Sequence, residues 1–256
     1  NMSTTLKTFA QKQLLAEEIR QNILKLTEEF YQNSWFQAVY QQTLTKNQYI
    51  ASLANNYQFV KWTTRLLGRI VGITNDEELR NHYLDHLRGE INHEKIVERD
   101  LTTLGADLNY VINHMVPNKG IHQFMCVQES MSAFYADPVK FLAVPIAIES
   151  LTAHLNSEFL EALQQCIAKW GFQKPIEAMR YLSSHAHTDG DPDGHWDQTL
   201  LMIKKYLTND HQVLQFLSIA KMVIQSVNEG YESLMQLPDL ASIESSSLQI
   251  IEEVDL

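Results

Sequence analysis

No proline precedes Pro117, and only Gly68 and Gly72 precede Gly89 among the glycines. Stretches this free of breakers exclude a turn-rich all-β design. Cysteine is almost missing as well: Cys126 and Cys166 have no CxxC spacing, which excludes a disulfide framework and points to a reducing compartment. Basic residues are scarce, with 20 Lys and Arg against 31 Asp and Glu and a formal charge of -11, which argues against nucleic acid or an anionic membrane surface as partner. No apolar run approaches the roughly 18 residues of a membrane span, and no signal-peptide core follows the N-terminus. A glycine-rich phosphate loop is absent. So is an HExxH zinc motif, since the nearest approach, His82-x-x-x-His86, has no Glu after its first His. The expectation is a cytoplasmic protein with no nucleic acid and no membrane among its partners.

What is present is apolar side chains recurring at three- and four-residue spacing, the period of helices. Hydrophobic residues make up 45% of 256, ordinary for a globular protein and enough for one core. One all-α domain over 1–238 is expected, followed by an acidic, Ser-rich tail over 239–256 with little to order it. The first helix is predicted from about Leu6 to Tyr31. Ser34 caps a short helix from Trp35 to Gln42, and Thr45 caps a long one to about Val71. Asp76, Glu77 and Glu78 suit a helix N-terminus; that helix is predicted to run unbroken through Glu90 and His93 to Leu104, with Gly105 as its C-cap. A short helix follows near Leu108. After a turn at Pro117–Gly120 comes a helix over His122 to Tyr135. Asp137-Pro138 opens a long helix, kinked at Pro145 and ending at Trp170-Gly171. Pro175 begins the helix that carries His185. The last helix runs from Asp210, its N-cap, to about Leu237.

Three clusters of metal-type ligands sit on these helices: Glu90-Ile91-Asn92-His93, a lone Glu149, and His185 to His195. Carboxylates and imidazoles suit iron, manganese and zinc, and helix bundles build dinuclear sites from facing side chains of this kind. Glu90 and His93, three apart on one helix, share a face; a surface pair of this type is also common. His82 and His86 lie on the same face, as a solvated stripe or as support behind the ligands. Glu149 is flanked by Val144, Ile146, Ala147, Ile148 and Leu151, where an ionised carboxylate needs a metal or an ion pair. In the third cluster Asp191-Pro192-Asp193-Gly194 reads as a type I turn, so one helix ends near Gly190 and His195 begins the next. His185 continues the apolar stripe of Ile176, Met179 and Leu182, and Asp189 follows one turn later. His185, Asp189 and His195 are therefore favoured, with His187 and Asp191 as alternates. Asp189-x-Asp191-x-Asp193-Gly194 also copies the start of a calcium-binding EF-hand loop, but its twelfth position is Leu200 rather than Glu. Cys126 and Cys166, in apolar helices, read as packing residues. Tyr31, Trp35, Tyr40, Tyr57, Phe59 and Trp62 read as core, some of them able to line a pocket.

Taken together, Glu90-Ile-Asn-His93 with Asp100-Leu101 and Leu104-Gly105, then Ile148-Glu149-Ser150, then Tyr181-Leu-Ser-Ser-His185-Ala-His-Thr-Asp189 and His195-Trp196, resemble the heme-oxygenase-like nonheme diiron oxidases. These have a TenA/PqqC-like fold, and their members include an undecene-forming fatty-acid decarboxylase and a chlamydial protein of p-aminobenzoate synthesis. The resemblance covers most of the chain and implies a heme-oxygenase-like helical bundle, a homodimer, and an iron-dependent oxidoreductase. Two ferrous ions at Glu90, His93, Glu149, His185, Asp189 and His195 would activate dioxygen as co-substrate, to oxidise a small acid or amine inside the bundle. The pattern departs from the family in two places. About three extra residues separate Asp189 from His195, and Lys61 stands where some members place a carboxylate ligand, which would weaken the second iron. No histidine precedes His82, so a true heme oxygenase with a proximal ligand on the first helix is disfavoured. A thiaminase-like hydrolase would need an active-site cysteine that neither Cys126 nor Cys166 matches. The alternative is a metal-free small-molecule-binding protein or acid–base enzyme, in which Lys61 pairs with Glu149. A structural or regulatory helical protein, with these polar residues scattered, is the third possibility.

Overall fold

The computed structural model describes residues 2–190 and 194–236, with side chains from 11 to 187 and from 194 to 236. The expected tail and most of the Asp191–Gly194 turn lie outside them. The described residues form helices and contain no strand. The long first helix is α1 (Met2–Tyr31); α2 (Ser34–Tyr40) follows a tight corner, and α3 is Lys46–Ile73. Thr45 and Gln48 form a full capping box at the start of α3, as Thr45 suggested. For α2 the cap is Asn33 rather than Ser34: its side chain accepts from the Trp35 amide.

The helix expected to run from Asp76 to Leu104 is two. The first, α4 (Glu77–Glu90), is capped by Asp76; α5 is His93–Leu104. Between them Asn92 takes the left-handed conformation at φ 68°, which Asn tolerates better than most residues. After α6 (Leu108–Asn113), α7 (Lys119–Glu129) begins directly on its cap Asn118, earlier than expected, and passes into a π-helical turn over Ser130–Phe134. The long helix expected from Pro138 to Trp170 is divided into α8 (Pro138–Phe141), α9 (Ala143–Ala153) and α10 (Ser157–Lys169). Pro145 has no amide to bond the Phe141 carbonyl four residues back, and the first break falls beside that residue. The second break turns the chain by 68° at His154–Asn156, where Asn156 caps α10. A 3-10 turn (Pro175–Ala178) precedes α11 (Arg180–Gly190). Then come α12 (His195–Tyr206) and α13 (Asp210–Leu234), the last capped by Asn209 rather than Asp210.

In the bundle α3 lies against α4 and α5, α13 against α7, α1 and α9, and α9 also meets α11 and α12. Buried polar bonds fix the helices that matter for the site. Asp100 of α5, fully buried, accepts from the amides of Arg180 (3.1 Å) and Tyr181 (2.8 Å) and so caps α11 from outside. Burial pushes its carboxyl up to about 6 against these two bonds. Trp196 Nε1 donates to the Ile146 carbonyl, tying α12 to α9, and Tyr31 Oη donates to Leu151, tying α1 to α9. Lys61 donates to Gln58 at 2.9 Å and lies over the Tyr57 ring. Cys166 is buried as expected, but Cys126 is exposed, on the outer face of α7. Tyr40 and Trp62 are also partly exposed rather than core. No single described helix is long and apolar enough to cross a membrane.

Glycine decides how closely two of these helices approach. A Cβ on Gly120 of α7 would collide with the Gly230 and Ser226 backbone of α13, whereas one on Gly72 would meet nothing. Gly120→Ala is expected to destabilise the protein by about 1–3 kcal/mol. Gly72→Ala should be neutral or stabilising by up to about 1 kcal/mol. Equal midpoints in urea for the two variants would contradict this packing.

Candidate metal centre

Five helices bring the sequence-predicted ligands together. Two groups of three donors form, the donor atoms within each lying within 4.8 Å of one another: His86, Glu149 and His195 in one, and Glu90, His93 and His185 in the other. Glu90 faces both. Its Oε2 is 2.8 Å from His93 Nδ1, while its Oε1 is 3.6 Å from His86 Nε2 and 4.0 Å from His195 Nδ1. His86 Nε2 is also 2.9 Å from Glu149 Oε1. The His86 and His195 rings lie 4.9 Å apart, those of His93 and His185 4.8 Å apart.

Of the expected residues, Glu90, His93, Glu149, His185 and His195 converge. They do so differently from the sequence argument: Glu90 and His93 belong to separate helices, and the left-handed Asn92 turns His93 back toward Glu90. His187 is exposed and belongs to neither group. The Asp189 side chain and all of Asp191 lie outside the described residues, as does the centre of the calcium-like Asp189–Asp193 loop. Lys61 does not pair with Glu149, and it is not among the residues lining the cavity beside it.

His86 was expected as a solvated stripe or as support behind the ligands, outside the ligand set. It is buried, and it sits one turn before Glu90 on α4, an i, i+4 pair on a common face. That spacing was visible in the sequence; the burial that turns a polar stripe into a site was not. The His195 ring packs closely on α4 at Gly89: a Cβ there would stand 3.0 Å from His195 Nε2, so a larger residue would press on the ring.

The electrostatics follow from burial. Desolvation would raise Glu90, but the imidazoles of His86 and His93 beside it hold it well below the usual carboxylate range. Desolvation would lower His86, yet Glu149 and Glu90 raise it to about 10. His82, one turn further out, is lowered to about 4 by burial and by the nearby His86 and His195. Several features suit a metal. His185 Nδ1–H donates to the Tyr181 carbonyl at 3.0 Å, which leaves Nε2 as a lone-pair donor in a fixed orientation. His86 Nδ1 is buried with no hydrogen-bond partner among the described residues. A set of two carboxylates and four imidazoles also fits iron, manganese or zinc.

The groups open on a cavity of about 110 Å³ that reaches from Glu90, Glu149, His86 and His185 to an aromatic cluster of Phe30, Trp35, Phe36, Phe159 and Tyr231. Among the described residues no lysine or arginine lines it.

No protein-family profile matches the chain, and no curated protein matches its sequence. Solved structures do match. A domain of unknown function with a heme oxygenase-like fold from Shewanella denitrificans OS217 superposes with a TM-score of 0.72 at 15% identity, over 86% of this chain and 91% of its own. The chain has a heme-oxygenase-like fold. A TenA homolog from Pseudomonas syringae pv. tomato DC3000 superposes with a TM-score of 0.70 at 14% identity, covering 87% and 93% of the two chains. A CADD-like protein of unknown function from Nostoc punctiforme PCC 73102 gives 0.61 at 12% identity, covering 89% and 95%. At such identities the likeness shows the heme-oxygenase-like bundle and its all-α class; the chemistry has to be argued from the side chains.

The sign of the His86 shift gives a test. Its folded value, about 10, lies above the ordinary 6.5. The stabilisation it brings is therefore complete below about pH 6.5 and is lost as pH rises toward 10. In the metal-free protein Tm should fall between pH 7 and 10. His86→Gln should lower Tm at pH 7 and flatten that slope; an equal slope in the variant would contradict the pairing.

Proposed function

We propose that the heme-oxygenase-like bundle is a nonheme diiron oxidase or oxygenase acting on a small acid or amine. The observation that carries this reading is the pair of donor groups facing one carboxylate, Glu90, at the inner end of an apolar cavity. His86, Glu149 and His195 would hold one ferrous ion and Glu90, His93 and His185 the other, with Glu90 placed to serve both. Asp189, expected from the resemblance, would complete the set. Iron bound there would supply the electrons that activation of dioxygen requires.

The chain's own residues do the rest. The apolar walls, Phe59, Phe141, Val144 and Ile148 among them, take up the substrate body and exclude water. The Tyr181 carbonyl fixes the His185 tautomer. In the metal-free protein His86 holds a proton between Glu149 and Glu90. That proton must leave before iron is bound by His86, so loading is coupled to proton release. The same pair supports a second reading, a metal-free acid–base or ligand-binding protein in which protonated His86 supplies the charge that Lys61 does not.

Anaerobic reconstitution with ferrous iron separates the two. About two irons per chain are expected, with an absorption change on exposure to dioxygen. Glu90→Ala should lose both ions, and Glu149→Ala the one beside His86. Gly89→Ala, whose added methyl would press on the His195 ring, should weaken that same ion while leaving the other in place. No iron in the wild-type protein, with Glu149→Ala behaving alike, would leave the metal-free reading.

A further inference from the structure

Among the described residues two polar side chains of the cavity wall outside the donor groups have no hydrogen-bond partner: the Trp35 indole N–H, a single donor closed off within the aromatic cluster, and the Gln128 carboxamide. Gln128 of α7 is 6% exposed and lines the cavity one turn beyond Phe124. Three further polar groups of the wall are committed inside the protein. Asn56 Nδ2 donates to Tyr231 Oη at 2.9 Å, Thr63 Oγ1 to the Phe59 carbonyl at 3.3 Å, and Thr152 Oγ1 to the Glu149 carbonyl at 3.2 Å. An amide that faces a cavity without protein partners takes its hydrogen bonds from a ligand or from water. Here it faces a chamber whose remaining walls are mostly aromatic and aliphatic.

We infer that the Gln128 carboxamide is a substrate-recognition group, and that the cavity takes a largely apolar molecule bearing an uncharged group that both donates and accepts hydrogen bonds, such as a hydroxyl or carboxamide. A primary amide offers two donors and an acceptor, which matches a group of that kind. Among the described residues the cavity wall has no lysine or arginine to neutralise an anion at this point. A carboxylate on the substrate therefore belongs at the donor groups, and the neutral group at Gln128. A site built on such a hydrogen bond rejects the analogue lacking the group, because the amide is then left unpaired.

The inference rests on the cavity being the substrate chamber, as proposed above, and its test does not depend on iron. Benzyl alcohol, toluene and benzoate are titrated into the full-length protein, with and without ferrous iron, by calorimetry or ligand-observed NMR. Gln128→Leu and Gln128→Met are compared with wild type. Both variants should weaken benzyl alcohol about five- to tenfold and leave toluene unchanged, and iron-free wild type should prefer the alcohol to benzoate. Unchanged affinity for the alcohol in the variants would overturn the inference, as would a preference for benzoate, or no binding of either neutral probe. Absence of iron binding with the alcohol preference intact would sink the diiron reading alone.

Discussion

Glu90 and Glu149 lie 9% and 6% exposed inside an apolar bundle, and among the described residues no lysine or arginine lines the cavity they face. An ionised carboxylate in such a place costs several kcal/mol unless a counter-charge and hydrogen bonds meet it. The surrounding histidines answer that demand. His86 bridges the two carboxylates, and His93 and His195 approach Glu90 from α5 and α12. One imidazolium between two carboxylates still leaves the group short of positive charge. A divalent cation in each donor group would supply it, which is the physical link between the burial of these residues and the proposed iron.

Holding five helices in register around that group takes bonds far from it. Asp100 accepts the first two amides of α11, so the helix that carries His185 is positioned by α5, which carries His93. Trp196 ties α12 to α9 at the residue next to His195, three residues before Glu149 on the other helix. Tyr83 Oη bonds the Pro138 carbonyl, joining α4 to the start of α8. Each of these links joins two ligand-bearing helices, or leads from one of them to a neighbour. The polar residues spent in this core therefore serve position more than net stability.

Much of this was legible in the chain. Helical spacing, the Thr45 capping box and the Asp137-Pro138 start are local chemistry, and they appear where expected. Five of the six expected ligands converge because polar residues on apolar helix faces have few other reasons to be there. The misses have identifiable causes. Nothing in Ile91-Asn92 marks a break, since Asn is tolerated both in helices and in the left-handed region, and packing of α5 on α3 decides. The 68° turn at His154–Asn156 was missed because helical spacing continues on both sides of it, although Asn156 is a good cap. His86 was left as a solvated stripe or as support behind the ligands, because burial depends on partners distant in sequence. Lys61 was weighed as a partner for Glu149, but it sits on the Gln58 and Tyr57 side of α3.

The packing of His195 on Gly89 bears on how such a centre could be searched for. Glu-x-x-His alone is too common to be a useful query, being frequent on ordinary helix surfaces. The window from His86 to His93 reads His-x-x-Gly-Glu-x-x-His, and each fixed letter answers a separate demand: two imidazoles and a carboxylate for charge, and a missing β-carbon for room. A side chain larger than hydrogen at the Gly89 position would press on the His195 ring. That string is a far rarer query than the ligand pair, and it can be read without coordinates.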